Sequence, residues 1–191
     1  MKVLKGEFSR TNLVVPSNTR PVSLLVKKAC FDILREDIEG KKVLDLFAGS
    51  GALGIEALSR KAEEASFVDI KKSAISAIKK NLSFCKASLR AKIYFKDAFR
   101  AIKDFFIKKE SFDLIFVDPP YHKGFLRKAL QVLDEYDILS PSGYIIGFCD
   151  HKENLPKLIY LNLIFKKKYG QSLLLIYCKE NDKESNLSGN I

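Results

Sequence analysis

The stretch Val43–Gly54, VLDLFAGSGALG, constrains the fold more tightly than any other part of the chain. An apolar run of strand length ends in a glycine-rich turn, after which apolar residues recur at helical spacing, so the segment reads as strand, tight loop and helix start. Gly49, Gly51 and Gly54 spell G-x-G-x-x-G. Glycines there let the backbone turn sharply and approach a bound molecule that a Cβ would repel. Taken alone, the pattern fits a dinucleotide site as well as any other nucleoside site.

Asp45 narrows the choice. It stands four residues before Gly49, near the carboxyl end of a buried strand, where an unpaired carboxylate is costly. A cationic ligand would supply a partner. NAD and ATP bring phosphates to the helix N-terminus, and an added acid would repel them. S-adenosylmethionine brings a sulfonium, an ammonium and a carboxylate. The alternative is that Asp45 only ties down the glycine loop by accepting backbone N–H bonds.

Downstream, apolar runs alternate with helical patterns. Ser66–Ile70 reads as a second strand ending at Asp69, twenty residues beyond Gly49, where an acid can accept ribose hydroxyls. Ser73–Cys85 reads as a helix, Ala91–Phe95 as a third strand followed by Asp97 and Ala98, and Phe112–Asp118 as a fourth. A helix over Gly124–Glu135, a turn over Ser140–Gly143 and a fifth strand over Tyr144–Phe148 follow. Leu161–Phe165 and Ser172–Cys178 close the sheet around a Lys166–Gly170 loop. The pattern predicts an α/β fold with a mostly parallel sheet covered on both faces, ligands lying at the carboxyl ends of the strands. Asp45, Asp69, Asp97 and Asp118 all fall there. Before this unit, Val3–Leu4 and Leu13–Val15 read as a short hairpin. A helix from Pro21 follows, its apolar stripe built from Val22, Leu25, Val26, Ala29, Cys30, Ile33 and Leu34, with Lys27, Lys28 and Arg35 on the other side.

Asp118-Pro119-Pro120-Tyr121, directly after a buried strand, is the most specific local signal. Two prolines fix φ and remove two N–H donors, so the turn offers carbonyl oxygens without competing donors. If the Asp118 carboxylate and the Pro119 carbonyl each accept one N–H of a nucleobase amine, its lone pair turns toward an electrophile. The positive charge that grows on nitrogen is stabilised as well. Tyr121 offers a flat face on which a flipped base can stack.

With these motifs in place, Lys2–Glu180 resembles the bacterial small-subunit ribosomal RNA guanine-N2 methyltransferases of the RsmD family, within the class I S-adenosylmethionine-dependent fold. The resemblance rests on VLDLFAGSGALGIEALSR from Val43 to Arg60, DLIFVDPPY from Asp113 to Tyr121, Arg20-Pro21 and Gly170-Gln171. It implies a Rossmann-like sheet of seven strands with the last antiparallel, and helices on both faces. It also implies a hairpin extension over 1–20 used on RNA, a methyltransferase domain over 21–179 and a polar tail over 180–191. S-adenosylmethionine would be held by Asp45, Phe47, Gly49, Ser50 and Gly51 at its methionine part, by Asp69 and Ile70 at the ribose, and by Asp97 and Ala98 at the adenine. Asp118, which also borders the cofactor, would act on the target guanine with Pro119, Pro120 and Tyr121. Asp69 stands where the family commonly has glutamate, so the acceptor is one methylene shorter.

Charge agrees with an RNA partner. The net charge is +10, and residues 1–35 hold seven basic side chains against two acidic ones. Such a cluster suits a polyanion, because each neutralised phosphate releases counterions. Small-subunit ribosomal RNA or its assembling particle is the expected partner, met through a basic N-terminal surface. Cys30, Cys85, Cys149 and Cys178 show no C-x-x-C pairing, so buried thiols are expected and neither zinc nor disulfides. No apolar run reaches the roughly 18 residues of a membrane span, and the N-terminus lacks a secretory signal. A cytoplasmic monomer without metal or membrane is expected. Competing readings are an adenine-N6 methyltransferase acting on DNA or RNA, a noncatalytic RNA-binding assembly factor on the same fold and, remotely, an NAD oxidoreductase.

Overall fold

The computed structural model describes residues 1–17, 23–35, 37–121 and 123–179. Arg20, Pro21, Val22 and the 180–191 tail, named above, lie outside them. The described elements are α1 (Leu24–Leu34), β1 (Lys42–Leu46), α2 (Ala52–Ser59), β2 (Glu64–Asp69), α3 (Lys72–Phe84), β3 (Ala91–Phe95), α4 (Ala98–Ile107), β4 (Phe112–Val117), α5 (Phe125–Glu135), β5 (Leu139–Asp150), β6 (Leu161–Tyr169) and β7 (Ser172–Lys179). Seven strands form one sheet in the order β3-β2-β1-β4-β5-β7-β6. β1 to β5 are mutually parallel, and β7 runs antiparallel to both its neighbours. This is the expected seven-stranded arrangement.

Side chains alternate across the sheet and create two cores. Val43, Phe67, Leu114, Phe116 and Ile146 pack with α1, α2 and α3, while Leu44, Val68, Ile115, Val117 and Ile145 pack with α4 and α5. Strands that look uniformly apolar in sequence are therefore buried on both faces, as parallel crossovers require.

Three expectations need correction. β5 begins at Leu139 and runs to Asp150, so the expected Ser140–Gly143 turn is an irregularity inside the strand: pairing with β4 slips between Phe112↔Leu139 and Leu114↔Tyr144. β6 continues to Tyr169, and Lys166, Lys167 and Lys168 pair with Leu175, Leu174 and Leu173 where a loop was expected. Lysines on an edge strand read as loop, yet they also guard an open edge against pairing with another chain. At the N-terminus, two strands reduce to a single Lys2↔Asn12 bridge.

The largest departure concerns α1 and α2. Every residue of α2 is buried, so it is not amphipathic. The N-terminal segment lies along it and covers the side turned away from the sheet. Glu56 holds that segment by accepting the Leu4 N–H (2.8 Å) and the Lys5 N–H (3.1 Å). Ser59 adds its hydroxyl to the Lys5 carbonyl at 2.6 Å and accepts the Phe8 N–H at 2.9 Å. Lys27, expected on the solvent side of α1, is fully buried and pairs with Glu56 at 2.9 Å. Arg60 completes the cluster, its Nε 3.1 Å from Glu56 Oε1. Burial pushes the Lys27 ammonium below its ordinary value, opposed by the Glu56 carboxylate.

Removing one partner of a buried pair strands the other charge. Glu56→Gln is expected to lower unfolding free energy by about 3–5 kcal/mol, read from urea denaturation. The double variant with Lys27→Met should recover part of that loss. A Glu56→Gln midpoint equal to wild type would remove this pair as the anchor of the N-terminal segment.

Candidate functional site

Parallel strands place their carboxyl ends on one edge, and register fixes who meets whom there. Leu46 pairs with Val68 on one side and Val117 on the other, so the loop after β1 rises between Asp69 and Asp118. Phe47 enters that loop with φ 60°, and Gly49 and Gly51 follow at φ 56° and 74°. Such values suit glycine and strain phenylalanine. A Cβ on Gly49 would meet nothing nearer than the Phe47 carbonyl oxygen at 3.9 Å, so that turn of backbone is open. Gly54 is the opposite case, since a Cβ there would lie 2.4 Å from the Phe67 ring, and its absence lets α2 close onto β2. Ser50 is buried and its carbonyl accepts the Asn81 amide at 2.9 Å; the same amide group grips Val14, tying the loop to α3 and the N-terminal segment.

Three of the four expected acids surround this loop. Asp45 is 1% exposed and accepts the Gly54 N–H through Oδ2 at 3.0 Å. Burial holds its carboxyl far above the usual carboxylate range; the Gly54 hydrogen bond opposes this, and the charges of Asp118 and Asp69 reinforce it. Loop anchoring, the alternative role considered for Asp45, is therefore real, but one hydrogen bond does not offset the burial. Asp69 accepts the Gly49 N–H (2.9 Å) and the Lys71 N–H (2.8 Å), one through each oxygen.

Asp97 sits farther along the edge as the N-cap of α4, accepting the Arg100 N–H at 3.1 Å, with Ala98 buried behind it. Ile70, exposed on 62% of its surface, and Asp97 line one end of a cavity of about 710 Å³. Beyond β4, Pro119 is buried and Pro120 exposed; Tyr121 is half-buried and donates its hydroxyl to Ser172 Oγ at 3.3 Å.

Two features of this edge were not read from sequence. Asp150, nearly buried at the end of β5, accepts the Lys152 N–H at 2.9 Å and pairs in register with Ser172. Its signal was present, a further acid at a strand end, but ending the fifth strand at Phe148 hid it. The second is an aromatic cluster, in which Phe47 stacks on Phe125 at 6.2 Å and meets the Phe99 ring edge-on at 5.9 Å, joining the loop after β1 to the starts of α4 and α5.

The site suits S-adenosylmethionine. A buried carboxylate whose ionisation is opposed by two neighbouring acids gains from a cation, and the open Gly49 backbone lets a ligand approach. Among the described residues no group of three or more His, Cys, Asp and Glu side chains is placed to hold a metal ion. None of their helices is long and apolar enough to cross a membrane.

The chain is similar to several known proteins. The family model described as "Conserved hypothetical protein 95" matches residues 1–178. A Bacillus subtilis protein named "Putative rRNA methyltransferase YlbH" is 37% identical over 94% of this chain and 99% of its own. The Escherichia coli "Ribosomal RNA small subunit methyltransferase D" is 29% identical over 97% of this chain and 93% of its own. A solved structure titled "Putative methyltransferase yhhF from Escherichia coli" superposes with a TM-score of 0.81 at 30% identity, covering 94% of this chain and 98% of that one.

The raised Asp45 carboxyl has a measurable consequence in the ligand-free protein. Its folded form holds a proton more tightly than the unfolded chain, so its contribution to stability falls as pH rises from the ordinary carboxylate value of 3.8 through the raised one. Asp45→Asn removes that term. The stability difference, variant minus wild type, should therefore grow from pH 4 to pH 7 in urea titrations. A pH-independent difference would contradict the raised ionisation.

Proposed function

The chain belongs to the RsmD family of S-adenosylmethionine-dependent ribosomal RNA methyltransferases, and from that premise we propose that it methylates the exocyclic N2 of one guanine in small-subunit ribosomal RNA. The observation that supports this reading is the strand register: Leu46 pairs with Val117, so the Asp118 turn and the glycine loop leave neighbouring parallel strands side by side at one edge of the sheet.

When bound, S-adenosylmethionine supplies a methyl group on a sulfonium, already activated for transfer to a nitrogen lone pair. Asp45 and the backbone of Gly49, Ser50 and Gly51 bind its methionine part, with Phe47 shaping the loop. Asp69 offers the second lone pair of each oxygen to the ribose, its first lone pairs holding Gly49 and Lys71. Ile70, Asp97 and Ala98 border the adenine.

The chain's own contribution to the reaction lies at Asp118–Tyr121. The Asp118 carboxylate and the Pro119 carbonyl accept the two N–H bonds of the guanine amine, which localises the nitrogen lone pair and favours the charge that develops there. Asp118 then holds the surplus proton on a carboxylate oxygen. Pro120 keeps the turn rigid. Tyr121 stacks on the extruded base, its ring steadied by the hydrogen bond to Ser172. The exposed Lys2, Lys5 and Arg10 on the N-terminal segment meet RNA phosphates. The protein works in the cytoplasm as a monomer.

Asp118→Ala is expected to lower kcat on ribosomal RNA by at least about 100-fold, while calorimetry finds cofactor affinity within a few-fold of wild type. Mass spectrometry of the wild-type product should place the methyl on guanine N2. Full activity in the variant would remove the mechanism, and a methyl on adenine N6 would replace the substrate.

A further inference from the structure

The cavity that begins at Ile70 and Asp97 does not stop at the adenine end. It continues between α4 and α5 over an apolar floor of Phe99, Phe125 and Val132, with Arg100, Lys103 and Lys128 around it. S-adenosylmethionine carries no phosphate, and its one carboxylate belongs to the methionine part assigned to the glycine loop, so it gives these three cations nothing to neutralise. The protein pairs none of them closely, although the Asp104 carboxylate lies within electrostatic range of Arg100. Among the described residues no carboxylate lies within ion-pair distance of the three side chains, and the nearby Asp104 is taken by Lys96. Two of the ammonium groups rest on aromatic rings, Lys128 Nζ 4.4 Å from the Phe99 centroid and Lys103 Nζ 5.0 Å from that of Tyr136. A cation over a ring keeps its full charge while its freedom is reduced, which suits it to meet an anion.

Position identifies the anion. α5 starts at Phe125, four residues after Tyr121, so the groove opens beside the turn assigned to the target base. That crevice holds Asp69 and Asp118, whose charges repel a phosphate backbone; a strand delivered there needs positive charge close by. Apolar rings in a concave floor take an unpaired base, whereas duplex RNA keeps its bases stacked inside. We propose that the α4–α5 groove binds a single-stranded stretch of the RNA substrate flanking the target nucleotide, with phosphates on Arg100, Lys103 and Lys128 and a base against Phe125. The proposal rests on the RNA-methyltransferase reading above. It adds a contact surface on the opposite face of the sheet from the basic N-terminal segment.

The test compares wild type with the triple variant Arg100→Ala, Lys103→Ala, Lys128→Ala, using fluorescence anisotropy with a single-stranded oligoribonucleotide and with an RNA duplex. The variant should bind the single strand at least about tenfold more weakly. The slope of log affinity against log salt should become shallower by about two, since each phosphate contact on a single strand contributes roughly 0.7. Cofactor affinity should stay within twofold, and duplex binding should change little. Phe125→Ala should weaken single-strand binding without altering the salt slope. A folded triple variant with unchanged single-strand affinity and slope would overturn the proposal, as would an equal loss on duplex. Wild-type protein that bound the single strand through these cations yet methylated no ribosomal RNA would sink the catalytic reading and leave the groove standing.

Discussion

The carboxylate of Asp45 sits where the fold can least afford a charge, inside a strand flanked by β2 and β4 and covered by α2. Its single hydrogen bond to the Gly54 N–H determines how the molecule is built around it. The bond needs α2 to begin close above the strand, closeness needs a residue without Cβ against Phe67, and the approach needs a loop that turns through positive φ at Phe47, Gly49 and Gly51. The glycine pattern is thus the set of backbone conditions under which one acid can be buried at the bottom of a crevice. What the hydrogen bond leaves uncompensated is the burial of the carboxyl, which a cation placed beside it would relieve.

A second buried charge solves a different problem. α2 has the sheet on one side and the N-terminal segment on the other, so it cannot offer a polar face to water. Glu56 turns inward and satisfies two backbone donors, Lys27 and Arg60 at once. Asn81 repeats the device at the next helix by joining Val14 to the carbonyl of Ser50. The N-terminal segment is therefore part of the wall behind the glycine loop, and a disturbance there reaches the loop backbone at Ser50 through Asn81.

These details mark where sequence reading succeeds and where it stops. β1, its loop, β3 and the acids at Asp45, Asp69, Asp97 and Asp118 were legible because each depends on local pattern: apolar run, glycine spacing, acid at a strand end. The burial of Lys27 was not, because helical periodicity sorts residues by type and a lysine scores as solvent-facing; only the distant Glu56 makes its burial tolerable. The length of β5 was hidden by Ser140–Gly143, whose turn-forming residues describe an irregular pairing with β4 and leave the strand unbroken. Ending that strand early also removed Asp150 from view. Residue composition misled in the same way at β6, where three lysines lie on an edge strand.

The two faces of the sheet divide the work. α1, α2, α3 and the N-terminal segment form a closed face in which buried charges are paired internally. α4 and α5 form a face on which Arg100, Lys103 and Lys128 are exposed, the two lysines held over rings. The asymmetry follows from what each face supports. Behind the glycine loop the backbone has to be fixed, since a shifted loop misplaces Asp45 and Asp69 together. On the proposed reading a polyanion has to arrive beside the Asp118 turn against the charges of Asp69 and Asp118, and pairing Arg100, Lys103 and Lys128 internally would weaken the attraction that brings it there. An acidic crevice suited to a cationic cofactor is a poor receptor for RNA by itself, and it becomes an adequate one only when the neighbouring surface carries charge that the fold has left unspent.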